Sequence, residues 1–354
     1  MLRQGPSTRA SWVPTEEDAY SMLSIVVLNV GISQHLFDVR AFSDNLSSLF
    51  DEDAVDTKVP ELWYAECLLV FAIGRLLQAK WDDESQLPGD EFFQEAIKRL
   101  PDLSGLRKQG VLGIELMGLC ALYLRIADRK EDAYLYASTA LRLSLGLSLH
   151  KSGPHRTHKR SETVHRNRLW WSIYMQERRL AAAVGFPMSI SDRAITTVQP
   201  SDQIEYPSAA AIAVNVKLTQ STGRITTTIY SQNNDSEGTF IKEVQDILHS
   251  LHKIENDMPA EISGGSHPAD LLLNNVPLSS SQLPSARTIA SLHLTVNQNV
   301  ICARRQMRTS GSRKCSCNHF RFTRQLNMHR ANHKVRALLP RARPVGILLR
   351  VKMQ

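Results

Sequence analysis

From Ile301 to Gln354 the chain has no aspartate or glutamate, and from Met1 to Glu66 it has no cysteine. The first absence splits the molecule electrically. The segment after residue 300 carries 14 Lys+Arg, which leaves 28 Lys+Arg against all 35 acids in residues 1–300, a body of −7 and a tail of +14 behind a net +7. The tail therefore invites polyanions, whereas the charge of the body gives no reason to bind nucleic acid. The second absence removes any thiolate-held metal module from the first 66 residues. Apolar runs of about 20 residues are missing too. The longest, Val111–Ile126, is interrupted by Glu115 and Arg125, so no membrane span is expected. The opening residues lack the apolar centre of a secretory signal, which points to cytosolic or nuclear residence. No glycine-rich phosphate loop, GxSxG elbow or HExxH pair occurs.

What is present is material for a large helical core, with 42% hydrophobic residues in 354. Thr15 ahead of Glu16, Glu17 and Asp18 is a cap and acidic first turn, and starts a helix through Met22, Ile25, Val26 and Val30. A short helix is expected over 38–49, and a longer one over 62–78, where Leu62, Ala65, Leu69, Ala72, Ile73 and Leu76 share one face. Acids, Pro88 and Gly89 make 81–90 a loop, and Pro101 stops a helix over 91–100.

Nearly every position from Gly110 to Ala127 is apolar, which predicts a helix buried on all sides. After a tight polar turn at 128–130, small residues at Ala133, Ala137, Ala140 and Ser144 let a returning helix over 131–149 pack closely as an antiparallel hairpin. The basic stretch 151–168 is read as a loop and then, from Ser161 as N-cap, a helix to Val184, ended by Gly185 and Pro187. Extended polar chain follows over 189–208. In 209–230 the run Ile225-Thr-Thr-Thr-Ile229 suits a strand, but the spacing of Val214, Leu218, Ile225 and Ile229 favours helix. Further helices are expected over 237–256 and 286–305, separated by a proline-marked loop over 258–284. No sustained period exists beyond residue 308. The fold class is thus all-α: an N-terminal arm (1–14), a single multi-helix domain (15–308) and a basic tail without regular order (309–354).

The segment HRNRLWWSIYMQERRLAAAVGFPMSISD, residues 165–192, resembles the signature of the fungal transcription factor regulatory domain, also called the middle homology region. The resemblance extends through QHLFDVRAFSDNL (34–46), LWYAECLLVFAIGRLLQ (62–78), AYLYASTALRLSLGLSLH (133–150) and SARTIASLHLTVNQNVICARR (285–305). Members of that family carry an N-terminal six-cysteine binuclear zinc cluster that binds DNA. The resemblance accordingly implies a nuclear transcription regulator of metabolic or secondary-metabolite genes. It would work through transcription machinery or partner regulators, a small-molecule effector and, in some cases, a homodimer. Zinc is implied for the family's cluster, not for this chain, because residues 1–66 hold none of the required cysteines. DNA contact is open to the family's module or to the basic tail. The alternative is a helical protein-interaction scaffold without direct DNA binding, for which about three repeats of the 110–149 hairpin would be needed where one is visible.

Weighed singly, the signature reads mainly as core, since Leu169, Ile173, Leu180 and Val184 share a face and Trp170 and Trp171 bring large buried area. Arg166, Arg168, Arg178 and Arg179 can be read as a phosphate-binding stripe, but a solvated face with Glu162 and Glu177 as neighbours is favoured. His35, His150, His155, His158 and His165 fall at loops and helix ends, where solvated imidazoles are the rule. Cys315, Cys317, His329 and His333 have a finger-like His-x3-His, but Cys-x-Cys and a gap of eleven fit a two-Cys two-His finger poorly, so random basic sequence is favoured. Asp82-Asp83-Glu84 lacks the DDxxD spacing of a diphosphate-binding helical enzyme and reads as loop. No catalytic, cofactor-binding or metal-binding residue is assigned, and no enzymatic activity is expected.

Overall fold

The computed structural model describes residues 14–50, 61–78, 87–152, 159–204, 206–229, 237–259, 262 and 286–309. The arm up to residue 13, the tail from 310 with Cys315, Cys317, His329 and His333, the Asp82–Glu84 acids, His155 and His158, and nearly all of the 258–284 loop lie outside the described residues. Among the described residues there are eleven α-helices and no strand: α1 (Glu16–Val26), α2 (Val39–Phe50), α3 (Glu61–Gln78), α4 (Asp90–Arg99), α5 (Leu103–Lys108), α6 (Val111–Ile126), α7 (Lys130–Gly146), α8 (Arg160–Val184), α9 (Ala210–Arg224), α10 (Glu237–Asn256) and α11 (Ala286–Thr309).

The helix signals in the sequence have direct structural counterparts. Thr15 caps α1, its hydroxyl accepting the Asp18 N–H. Gly185 ends α8 in the left-handed conformation, with φ 79°. Asp128 takes a positive φ of 61° in the turn joining α6 to α7. α6 is buried without a break from Gly113 to Leu124, as its uniform apolarity requires. The β-branched run after α9 is a π-helical turn, Ile225–Ile229, that continues the helix. Thr226 and Thr227 donate to the carbonyls of Thr222 and Gly223 at 2.9 and 3.0 Å, bonds that let these residues stay helical despite their strand preference. A similar π-turn, Val27–Gly31, extends α1.

Three details differ from the sequence reading. α8 begins at Arg160 with Lys159 as N-cap and no side-chain cap bond, so Ser161 is inside the helix and not its cap. Between α4 and α6 a short helix, α5, is capped by Asp102, which accepts the Gly105 N–H at 2.7 Å; six residues are too few for a periodic signal. α11 runs to Thr309, four residues beyond the expected end.

Packing divides the helices into two layers. α1–α8 surround one large core holding the biggest buried side chains, including Trp170, Phe71, Tyr123 and Tyr174. α6 pairs with α7, α7 with α8, and α3 packs on α1, α4 and α6. α10, α11 and one side of α9 enclose a second core built on Leu218, Val244, Leu251, Leu292 and Val296. α9 belongs to both, sending Ile212 and Val216 into the first core and Val214 and Leu218 into the second. It is the wall shared by the two cores.

Candidate functional site

The signature helix α8 works as a mast to which the chain after it is tied. Arg168 donates to the carbonyl of Pro207 at 2.8 Å, and the Trp171 indole N–H to that of Val198 at 2.8 Å. Glu177 is fully buried and accepts the Ser189 N–H at 3.1 Å. Its carboxyl lies above the usual carboxylate range, chiefly because burial disfavours the charge. Arg178 donates to the Ile190 carbonyl at 2.8 Å and pairs with Asp192 at 2.6 Å, while the Tyr174 hydroxyl donates to the same carboxylate at 2.7 Å. Arg168 and Arg178 are therefore not a solvated stripe: each is 2% exposed. Both satisfy carbonyls of the chain that follows α8. Only the outer end of the row behaves as expected, with Arg166 paired to Glu162 at 2.8 Å.

Two histidines expected to be solvated are also interior. His35 Nε2 lies 2.8 Å from His165 Nδ1, and His165 Nε2 lies 3.0 Å from the Glu115 carboxylate, the acid that interrupts apolar α6. The His35 backbone N–H donates to Ser172 Oγ at 2.7 Å. Burial first, then His165, Arg168 and Arg40, push the His35 imidazole well below its ordinary pKa of 6.5. Glu66, also buried, is pushed well above 4.5 by burial and then by Glu115 and Asp38. Among the described residues no cluster of three or more His, Cys, Asp or Glu is arranged to hold a metal ion.

At the seam between the two layers lies a cavity of about 550 Å³. Its walls come from the end of α6 (Arg125), the end of α8 and its cap (Arg179, Leu180, Phe186), the α9 π-turn (Ile225, Thr226) and α11 (Ser291, Thr295, Gln298). A second hollow of about 270 Å³ lies on the other side of Arg125 and Arg179 and adds Asn215 and Arg287. Thr222 donates to Asn299 Oδ1 at 2.9 Å and Asn299 donates to the Leu218 carbonyl at 3.0 Å, which fixes α11 against α9. Asn215 accepts from Arg179 and donates to the Ser33 carbonyl at 3.1 Å, which ties α9 to the end of the α1 π-turn. The volume falls in the range of small-molecule clefts, and the lining mixes apolar side chains with hydroxyls, amides and cations. Of these residues, Arg179 is legible in the sequence only as part of the stripe weighed for phosphate binding and read as a solvated face, and Arg125 only as a charge interrupting an apolar run.

The described residues form an all-α body in two layers, with a signature helix strapped to the chain that follows it and a cavity at the seam. Residues 68–261, more than half of the chain, match the Fungal specific transcription factor domain, and the chain belongs to that family. It is 27% identical over 251 residues to an uncharacterized transcriptional regulatory protein of Schizosaccharomyces pombe, covering 66% of this chain and 30% of that protein. It is 20% identical over 275 residues to the Thiamine repressible genes regulatory protein of the same yeast, covering 73% and 35%. The chain thus spans about a third of the length of the curated relatives it matches. No solved structure matches it significantly.

Proposed function

We propose that this chain is the effector-responsive regulatory domain of a nuclear transcription regulator that controls metabolic genes, and that it acts by binding and not by catalysis. The observation that carries the reading is the seam cavity. A ligand there touches α6 and α8 from the first layer and the α9 π-turn and α11 from the second, so its binding energy bears directly on how the layers pack. Family membership supports the transcriptional setting, and a relative named for thiamine-repressible genes supports control of a nutrient-dependent gene set. Sequence-specific DNA contact, with its zinc, is assigned to a module outside residues 14–309. Partner regulators would read the packing of α9–α11.

The test is a fusion of the chain to an unrelated DNA-binding domain driving a reporter in a fungal host grown on varied nutrient sources. Output from the wild type should change several-fold with nutrient, and Thr226→Trp, which fills the cavity, should flatten that response at equal protein level. Output that ignores nutrient in the wild type, or responds equally in the filled variant, rejects the proposal.

A further inference from the structure

The charges around the seam cavity are unbalanced. Arg125 and Arg179 line both hollows, Lys130 lines the larger and Arg287 the smaller, and among the described residues neither hollow has an aspartate or glutamate in its wall. Lys130 is neutralised outward by Asp128 at 2.7 Å. The others have no such relief. Arg179 donates one guanidinium N–H to the Asn215 amide oxygen, yet its Nε is buried without a hydrogen-bond partner. Arg125 makes no ion pair with any described residue, and the charge that acts on it is another cation, Arg287. Burial first, and then Arg287 on Arg125 and Arg125 on Arg179, lower the pKa of Arg125 and Arg179 to about 10. At neutral pH both still carry their charge. Desolvated like charges held together cost stability unless a counter-charge meets them.

Arg178, next to Arg179 on the same helix, has its carboxylate in Asp192. The guanidinium fork is also the side chain best matched to oxyanions such as phosphate and carboxylate. Beside the cations the larger hollow provides apolar surface from Leu180, Phe186 and Ile225 and hydroxyls from Thr226, Ser291 and Thr295.

We propose that the ligand of the seam cavity is a small organic oxyanion, with a phosphate or carboxylate head held by Arg125 and Arg179 and an uncharged body lying along Leu180, Phe186 and Ile225. The inference rests on the effector-domain reading and names the chemical class of the effector. Bound, the anion offsets the mutual repulsion of Arg125, Arg179 and Arg287, and so it stabilises the packing of α11 on α9.

The test uses the full chain, the Arg125→Met and Arg179→Met variants and the milder Arg179→Lys. Pyrophosphate and citrate are the probes, with sodium chloride matched for ionic strength. The basic tail is common to all four proteins, so any anion bound there cancels in the comparison. At about 1 mM probe the wild type should gain about 2 °C or more in unfolding midpoint over matched salt. Affinity measured by calorimetry should fall about tenfold or more in each Met variant and less in Arg179→Lys, which keeps charge but loses the fork. Pyrophosphate winning over citrate assigns the head to phosphate, and the reverse assigns it to carboxylate. Equal binding by wild type and variants, or no binding of either probe, overturns the proposal. If the reporter response survives in Arg125→Met and Arg179→Met while Thr226→Trp abolishes it, the anion class fails and the effector domain stands.

Discussion

His35 is kept neutral inside the fold by burial and by the nearby His165, Arg168 and Arg40. Below its ordinary value of 6.5 the unfolded chain takes up a proton that the folded protein refuses, so this stability is lost as pH falls through that range. Glu66 works in the opposite sense. Burial, Glu115 and Asp38 raise it above 4.5, so the folded protein keeps a proton that the unfolded chain releases, and stability is lost as pH rises from 4.5 towards its folded pKa. Urea unfolding at pH 5.5, 6.5 and 7.5 should separate the two. Relative to His35→Gln, the wild type should weaken towards pH 5.5, with a limiting slope of about 1.4 kcal/mol per pH unit for one proton. Glu66→Gln should gain on the wild type as pH rises. Gaps that do not move with pH would contradict the buried titration. None of this was legible in the sequence. His35 and His165 are 130 positions apart, and each stands at what looks locally like a polar helix border. Arg168 and Arg178 misled for a related reason: their partners are carbonyls of an irregular loop, which carries no pattern of its own.

At the scale of elements most of the architecture could be read directly. Caps, glycine and proline stops and the apolarity of α6 placed the helices, because each signal acts within one or two turns. What the helices do to each other was hidden, since crossing points depend on shape. Gly74 is such a point. A Cβ there would sit 2.6 Å from the Met22 Cβ and 2.9 Å from its backbone oxygen, so α1 lies directly on α3. Gly74→Val should force the two helices apart and cost about 1–3 kcal/mol, read as a lower urea midpoint with an unchanged slope. An undiminished midpoint would mean that α1 yields freely at this crossing. Likewise, the signature at 165–192 announces a family but not its physical task. That task, fastening the 186–208 chain so that Phe186 and its neighbours form a cavity wall, emerges only from the hydrogen bonds of α8.

For the whole molecule, charge and structure point to two different anion-binding behaviours. The proposed ligand of the seam cavity would meet Arg125 and Arg179 in its wall. The segment after residue 300 offers 14 Lys+Arg and no acid, and should bind polyanions without sequence preference. In a gel-shift salt series the intact chain should show steeply salt-dependent, non-specific DNA binding that is lost in a version ending at residue 308. Sequence-specific binding that survives the truncation would place a DNA-reading surface within the helical body.

The layering of the helices also sets how this protein can be cut for laboratory work. The family match covers residues 68–261, but the fold does not close at those points. A fragment with those ends would strip α1 and α2 from the larger core, exposing the partners of Met22, Phe42 and Leu46. It would also remove α11, leaving Val244, Ile247 and Leu251 of α10 facing water. Such a piece would aggregate on expression, whereas one running from Pro14 to Thr309 keeps both apolar interiors covered.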